Sequence, residues 1–222
     1  MDTHSRSVIE EPGHLLILQE RERLLAKLLR RHGFRRLDDV RAFEAGCGWG
    51  YNLRLLVQWG ARPELLAGID IDEALVEGAR ARCPAIRIHL GPAEQVPEAD
   101  ASFDLSLAFL LFSSVRSEER CERIASELFR ITRPGGLIVV YDIRRSASRR
   151  RGLRPVEEAD LRRWFPRCPV RQYPVTLAPP LARLVGRTLP FLYGPLAAIP
   201  LLRTHALSVV RRPALSPFAE HP

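Results

Sequence analysis

Apolar positions along the chain recur at two different spacings. Leu15, Leu18, Leu24, Leu25, Leu28 and Leu29 return at helical intervals, and Gly33 stands where such a helix would close. Residues 1–13 lack that periodicity and read as a frayed terminus. From residue 40 onward, short apolar runs alternate with longer amphipathic ones. Residues 40–44, 65–70, 86–90, 103–109 and 137–142 read as strands. Residues 51–59, closed by Gly60, 73–82, with Asp72 as N-cap, and 118–131, capped by Ser117, read as helices. Residues 91–102 form a loop, and Pro134-Gly135-Gly136 turns the chain into the fifth strand. Such alternation predicts βαβ units and a mostly parallel, doubly wound α/β sheet. Right-handed crossovers then put ligands at the carboxyl ends of the strands, where Glu44, Asp70 and Asp142 fall.

The character changes after residue 143. A basic polar loop spans 144–154, a short helix 157–165 and a strand 170–176. Residues 178–202 are apolar and broken by prolines, with Arg183 and Arg187 four apart on one helical face. Residues 205–210 read as a last strand and 211–222 as a tail. With 222 residues, 46% hydrophobic and 27% charged, the chain fits one globular domain. A disordered chain, a collagen and a disulfide framework are excluded.

The net charge of +8 is unevenly spread. Residues 1–142 hold 19 basic and 22 acidic side chains, a balance of −3; residues 143–222 hold 15 and 4, a balance of +11. Lys27 is the one lysine, so part of this charge reflects a coding bias toward arginine. The basic third could meet an acidic substrate, a membrane surface or nothing in particular. Cys47, Cys83, Cys121 and Cys168 form no C-x-x-C pair, no metal-ligand spacing and no disulfide scaffold. No apolar leader follows Met1, and the longest uncharged run, 188–202, is too short and proline-rich to span a bilayer. A reduced, cytoplasmic location is expected.

The chemistry concentrates in Glu44-Ala45-Gly46-Cys47-Gly48-Trp49-Gly50, a glycine turn between a strand and a helix. Glycines allow close backbone approach to a ligand, and the helix start offers free N–H groups. Asp70, one strand over, is a carboxylate placed to hold two ribose hydroxyls. The dinucleotide fingerprint needs a third glycine where Tyr51 stands, which disfavours a nicotinamide oxidoreductase. The pattern instead resembles motif I of the class I S-adenosylmethionine (SAM) dependent methyltransferases. The resemblance runs over about 40–142. Gly68-Ile69-Asp70-Ile71-Asp72, Gly91-Pro92-Ala93-Glu94, Ser102-Phe103-Asp104-Leu105 and Arg133-Pro134-Gly135-Gly136 are similar to the type 11 branch, which acts largely on small molecules.

That resemblance implies a Rossmann-like sheet of seven strands, the last antiparallel, with helices on both faces. The chain then divides into an N-terminal helical segment (1–39), a SAM-binding core (40–142) and a basic C-terminal part (143–222). It implies SAM as cofactor and Glu44, Gly46, Cys47, Gly48, Asn52, Asp70, Ile71, Ala93, Glu94 and Phe109 as its binding residues. Glu44 and the glycine turn would surround the methionine part, Asp70 the ribose and Ile71 the adenine. Pro92 replaces the aspartate that usually reads the adenine amino group, so that task shifts to the backbone near Ala93 or to Glu94. Asp104 reads as a brace of the fold, and Cys47 as a small packing residue rather than a nucleophile.

Methyl transfer from a sulfonium is an in-line displacement that needs alignment first and a base only for a protonated acceptor. The acceptor pocket is expected above the fourth and fifth strands, among Phe109, Phe112, Ser113, Ser114, Tyr141, Asp142 and Arg144. Tyr141, Asp142 and His205 are the candidate catalytic residues, although Tyr141 could simply pack and Asp142 simply end a strand; His89 lies in the third strand, away from the methyl. The insertion at about 177–203 offers Leu181, Leu184, Val185, Phe191, Leu192 and Tyr193 as an apolar lid for a hydrophobic acceptor, or as core packing or a dimer face. A small-molecule acceptor is expected, with membrane-surface contact through this segment as a further option. The alternative is a nucleic-acid-binding or nucleic-acid-modifying methyltransferase using the basic third. Phe109-Leu110-Leu111-Phe112 stands where base-amino methylases carry an Asn/Asp-Pro-Pro motif, so no nucleic acid is expected. No metal is expected either, since the fourth strand ends in phenylalanine rather than an acid.

Overall fold

A computed structural model describes residues 10–145 and 153–214. The strands are β1 (Ala42–Ala45), β2 (Leu66–Asp70), β3 (Arg87–Leu90), β4 (Phe103–Phe109), β5 (Thr132–Ile143), β6 (Val170–Leu177) and β7 (Arg203–Arg211). They form one sheet in the order β3-β2-β1-β4-β5-β7-β6. The first five pair in parallel, and β7 runs antiparallel to both β5 and β6. The expected doubly wound sheet with an antiparallel seventh strand is the one observed. β5 starts earlier than its apolar run: Phe103 already pairs with Thr132, and Pro134-Gly135-Gly136 is absorbed as an irregularity before Leu105 meets Leu137.

The helices are α1 (Pro12–Arg31), α2 (Tyr51–Gln58), α3 (Glu73–Arg82), α4 (Glu118–Ile131), α5 (Glu158–Trp164), α6 (Pro179–Thr188) and α7 (Tyr193–Ala197). Asp72 caps α3 by accepting from the Leu75 N–H at 3.1 Å, and Ser117 caps α4 by accepting from Arg120 at 3.3 Å. The frayed terminus needs correction at its end. Pro12, which lacks an N–H that would go unpaired there, opens α1, and Gly13 is already buried. The rest of that expected terminus (1–9), the middle of the basic loop (146–152) and most of the tail (215–222) lie outside the described residues.

The pleat sorts side chains onto two faces. On one, α1, α2 and α3 pack over Ala42, Leu105, Leu107, Leu137, Val139 and Tyr141. On the other, α4 and α5 pack over Phe43, Ala45, Ile69, Ile138 and Val140. Asp104 fastens the start of β4, accepting from the Arg41 N–H at 2.8 Å and pairing with Arg133.

A third cluster joins the first turns of α1 to α6 and α7 through Leu177, Ala182, Val185 and Tyr193, with Leu16 and Ile17 against them. Of the side chains expected in a lid, Val185 and Tyr193 are therefore buried; Leu184 and Phe191 are exposed. β6 and β5 both oppose β7, so they point the same way. The 178–202 cap thus leaves the sheet at the edge where β1, β2, β4 and β5 end.

Two glycines set the α1–α6 approach. A Cβ on Gly186 would meet Gly13 N at 2.4 Å, and a Cβ on Gly13 would meet the Ala182 carbonyl at 2.3 Å. Gly186→Val should force the helices apart and lower stability by about 1–3 kcal/mol. Urea unfolding measures this; an unchanged midpoint would contradict the close crossing.

Candidate active site

The turn after β1 is bound to the end of β2. Gly46 (φ +67°), Gly48 (φ +50°) and Gly50 (φ +71°) take left-handed backbone conformations that side chains rarely adopt. Within it, the Gly46 and Cys47 N–H groups donate to the Ile69 carbonyl at 2.8 and 3.0 Å. Gly48 N–H donates to one Asp70 carboxylate oxygen at 2.8 Å, and Asp72 N–H to the other at 3.0 Å. Asp70 is thus held rigidly, with two of the roughly four lone-pair sites of a carboxylate left over. Cys47 fills the space beside Gly68, and burial pushes its thiol well above the usual range, as suits a packing residue.

Glu44 shares the α1–α2 face of β1 with Ala42 and is 1% exposed. Asn52, in the first turn of α2, donates to its Oε1 at 2.5 Å. Arg21, from α1, donates to the Asn52 side-chain Oδ1 at 3.2 Å. Its guanidinium carbon lies 5.3 Å from each of the ring centroids of Tyr51, Phe109 and Tyr141. Two atoms of this chain of contacts are buried without a partner: Glu44 Oε2 and Arg21 Nε. Burial pushes the Glu44 carboxyl up to about 8, outweighing the opposing pull of Asn52 and Arg21.

Sequence reasoning did not single out Arg21. Its signal is positional: Leu18, Arg21, Leu25 and Leu28 occupy one helical stripe, and all four are buried. An arginine in an otherwise apolar stripe needs an interior partner.

The carboxyl ends of β4 and β5 are aromatic. Phe109 lies 5.5 Å from Tyr141, and Tyr141 stacks on His205 at 5.3 Å and 9°. The Tyr141 hydroxyl is hydrogen-bonded to Thr176 at 2.8 Å, and burial pushes the phenol up to about 12. Burial, and secondarily Arg21, pushes His205 down to about 4. Leu110 (φ +56°) and Thr176 (φ +69°) hold left-handed backbone at this same edge, a strain that clusters at functional sites. Leu111 lies against the glycine turn, with Cδ1 3.1 Å from where a Gly46 Cβ would stand.

Other expected residues are not brought together. Asp142 faces the opposite side of the sheet from Tyr141, because adjacent strand residues alternate. Its oxygens accept from the Ser113 N–H at 3.0 Å and the Ile143 N–H at 2.8 Å, and burial raises its carboxyl to about 6. Phe112 turns to that face as well, stacking on Trp164 at 4.8 Å. Ser114 donates to the Leu111 carbonyl at 2.6 Å, and Arg144 to the carbonyls of Pro200 and Arg203 at 3.4 and 3.3 Å. His89 bonds Glu98 at 2.9 Å. On the β2–β3 side, Ile71 is 66% exposed beside Asp70, and Ala93 is buried. The Glu94 carboxylate is engaged by Arg120.

Glu44 binds a proton more tightly when folded than when unfolded. Its contribution to stability is therefore full below about pH 4.5 and is lost as pH rises toward 8. Without ligand, Glu44→Gln should gain in Tm over the parent as pH rises through that window, at about 2–4 °C per kcal/mol for a chain of this size. A Tm difference independent of pH would refute the buried, protonated carboxyl.

Comparison with known proteins covers the stretch of chain that carries this site. A family model described as a methyltransferase domain matches residues 43–140. A probable S-adenosylmethionine-dependent methyltransferase of Mycolicibacterium smegmatis is 37% identical over 97 residues, 44% of this chain and 35% of that protein. A malonyl-acyl-carrier protein O-methyltransferase of Serratia marcescens is 35% identical over 96 residues, 43% of this chain and 35% of that protein. The match thus spans about a third of the length of these relatives. Among solved structures, geranyl diphosphate C-methyltransferase of Streptomyces coelicolor A3(2) superposes with a TM-score of 0.65 at 14% identity, covering 96% of this chain and 86% of that one. The cyclase SpnF does so with 0.62 at 21%, covering 87% and 82%; at these identities the likeness is one of fold. Residues 43–140, the run from β1 into β5 that frames the site, match a methyltransferase domain of type 11, and the sheet has the strand order of the class I S-adenosylmethionine-dependent methyltransferase fold.

Proposed function

We propose that the protein methylates a small, apolar or amphipathic acceptor, with S-adenosylmethionine as donor. The observation that carries this reading is the pair of unsatisfied buried atoms beside the glycine turn, Glu44 Oε2 and Arg21 Nε. Glu44 Oε2, an acceptor once an arriving cation displaces the carboxyl proton, and the cationic donor Arg21 Nε, linked through Asn52, suit the ammonium and carboxylate of an amino acid, which is the methionine end of this cofactor. The other residues fit the rest of it. Asp70 has lone pairs left for ribose hydroxyls, Ile71 offers exposed apolar surface to a planar base, and the backbone at Ala93 remains for the adenine edge once Glu94 is held by Arg120.

When bound, SAM supplies a sulfonium methyl that is already activated for displacement. The chain's own task is alignment and exclusion of water. Phe109, Tyr141 and His205 make an aromatic wall at the ends of β4, β5 and β7. That wall holds no strong base: the Tyr141 phenol is raised and bonded to Thr176, and the His205 imidazole stays neutral but weakly basic. Such a wall favours acceptors that are nucleophilic at neutral pH without help, such as a carboxylate. The acceptors named for relatives, a malonyl group on a carrier protein and phthiotriol dimycocerosates, likewise point away from nucleic acid.

Titration calorimetry with S-adenosylhomocysteine tests the cofactor site. Asp70→Ala, which removes two charge-assisted contacts, should weaken binding by about 100-fold, and Arg21→Met by about 10-fold. Binding unchanged in both variants would overturn the assignment. Once an acceptor is known, His205→Asn should lower kcat by less than the roughly 100-fold expected for loss of a general base; a larger loss would restore His205 to that role.

A further inference from the structure

Ten large apolar side chains are exposed among the described residues, and five of them, Leu184, Leu189, Phe191, Ile199 and Leu201, fall in the cap between β6 and β7. Phe191 and Leu201 are each 72% exposed. They project from two proline-led single turns, Pro190–Leu192 and Pro200–Leu202, at either end of α7. A five-residue helix is about 7.5 Å long, so only a short element separates the two turns along the chain. A soluble surface rarely exposes large apolar groups in such density without a partner.

The cap's own charge is positive. Residues 178–202 contain Arg183 and Arg187 and no Asp or Glu. Arg183, in α6, and Arg145, whose N–H donates to the Thr204 carbonyl at 3.0 Å, are exposed beside the cap. Glu11 and Glu20, which α1 brings against it, are engaged by Arg187 at 2.9 Å and by the Tyr193 hydroxyl at 2.7 Å. Among the described residues no helix is long and apolar enough to cross a membrane, so contact would be at a surface.

We infer that this cap docks on an anionic lipid bilayer, with Phe191 and Leu201 inserted among the headgroups and the arginines against lipid phosphates. Protruding apolar tips in a basic field suit an interfacial anchor. Two copies apposed through this face would instead bring like charges together. The cap leaves the sheet at the edge that carries the candidate site, so docking would turn that site toward the membrane. The docking itself does not rest on the proposed methyl transfer.

The test is flotation of the whole chain with vesicles of phosphatidylcholine, with and without phosphatidylglycerol. The protein should float with the anionic vesicles and less with the zwitterionic ones, and raised salt should weaken the association. The double substitution Phe191→Ser and Leu201→Ser should lower the bound fraction by about 10-fold or more. It should leave S-adenosylhomocysteine affinity unchanged, which also certifies the fold; if no such binding exists, an unaltered thermal transition does so. Absence of flotation at low salt would overturn the inference, as would undiminished flotation of the double variant. A dimer in sedimentation that the double variant dissolves, with no vesicle binding, would overturn it in favour of a second copy of this chain.

Discussion

A carboxyl group lies in the middle of a strand that has no access to water. β1 sits between β2 and β4, where the strand order reverses, and all four of its residues are buried. Glu44 cannot turn outward without moving Phe43 and Ala45 off the opposite core, because the pleat fixes which side each residue faces. Its desolvation is only partly offset. Asn52 supplies one hydrogen bond, and Arg21 supplies positive charge at one remove. An interior of this kind is costly to stability unless a ligand completes it, which is why the unsatisfied atoms say more about function than the satisfied ones do.

The fold was legible where local chemistry and long-range pairing agree. The alternation of apolar runs with capped amphipathic stretches marked β1 to β5 and their helices, and Asp72 and Ser117 cap the helices they were assigned. Errors fell at element ends. Thr132 joins β5 because it pairs with Phe103, and α1 starts at Pro12 because Gly13 packs on α6. Neither partner is close in sequence.

The candidate site was legible only in part, for a related reason. The glycine turn and Asp70 meet through the parallel pairing of β1 with β2, which the strand–turn–helix–strand order of the sequence already implies. Arg21 reaches the same place from a helix some twenty residues upstream, positioned by packing that no local pattern encodes. Tyr141 and Asp142 were grouped because they are neighbours in sequence, yet a strand sends neighbours to opposite faces. His205 reaches Tyr141 only because β7 enters the sheet antiparallel and in a register that pairs it with Ile143. Parity and register were the missing information.

Helix α1 has one end in each of two environments. Its first turns rest on the cap through Gly13 and Gly186, and its third turn carries Arg21 into the interior. The cap and the guanidinium are therefore mechanically one module. A lineage could not exchange the segment between β6 and β7 for another of different thickness without also re-seating this arginine. Diversification of what the cap faces is coupled, through a single rigid rod, to the buried charges beside the glycine turn.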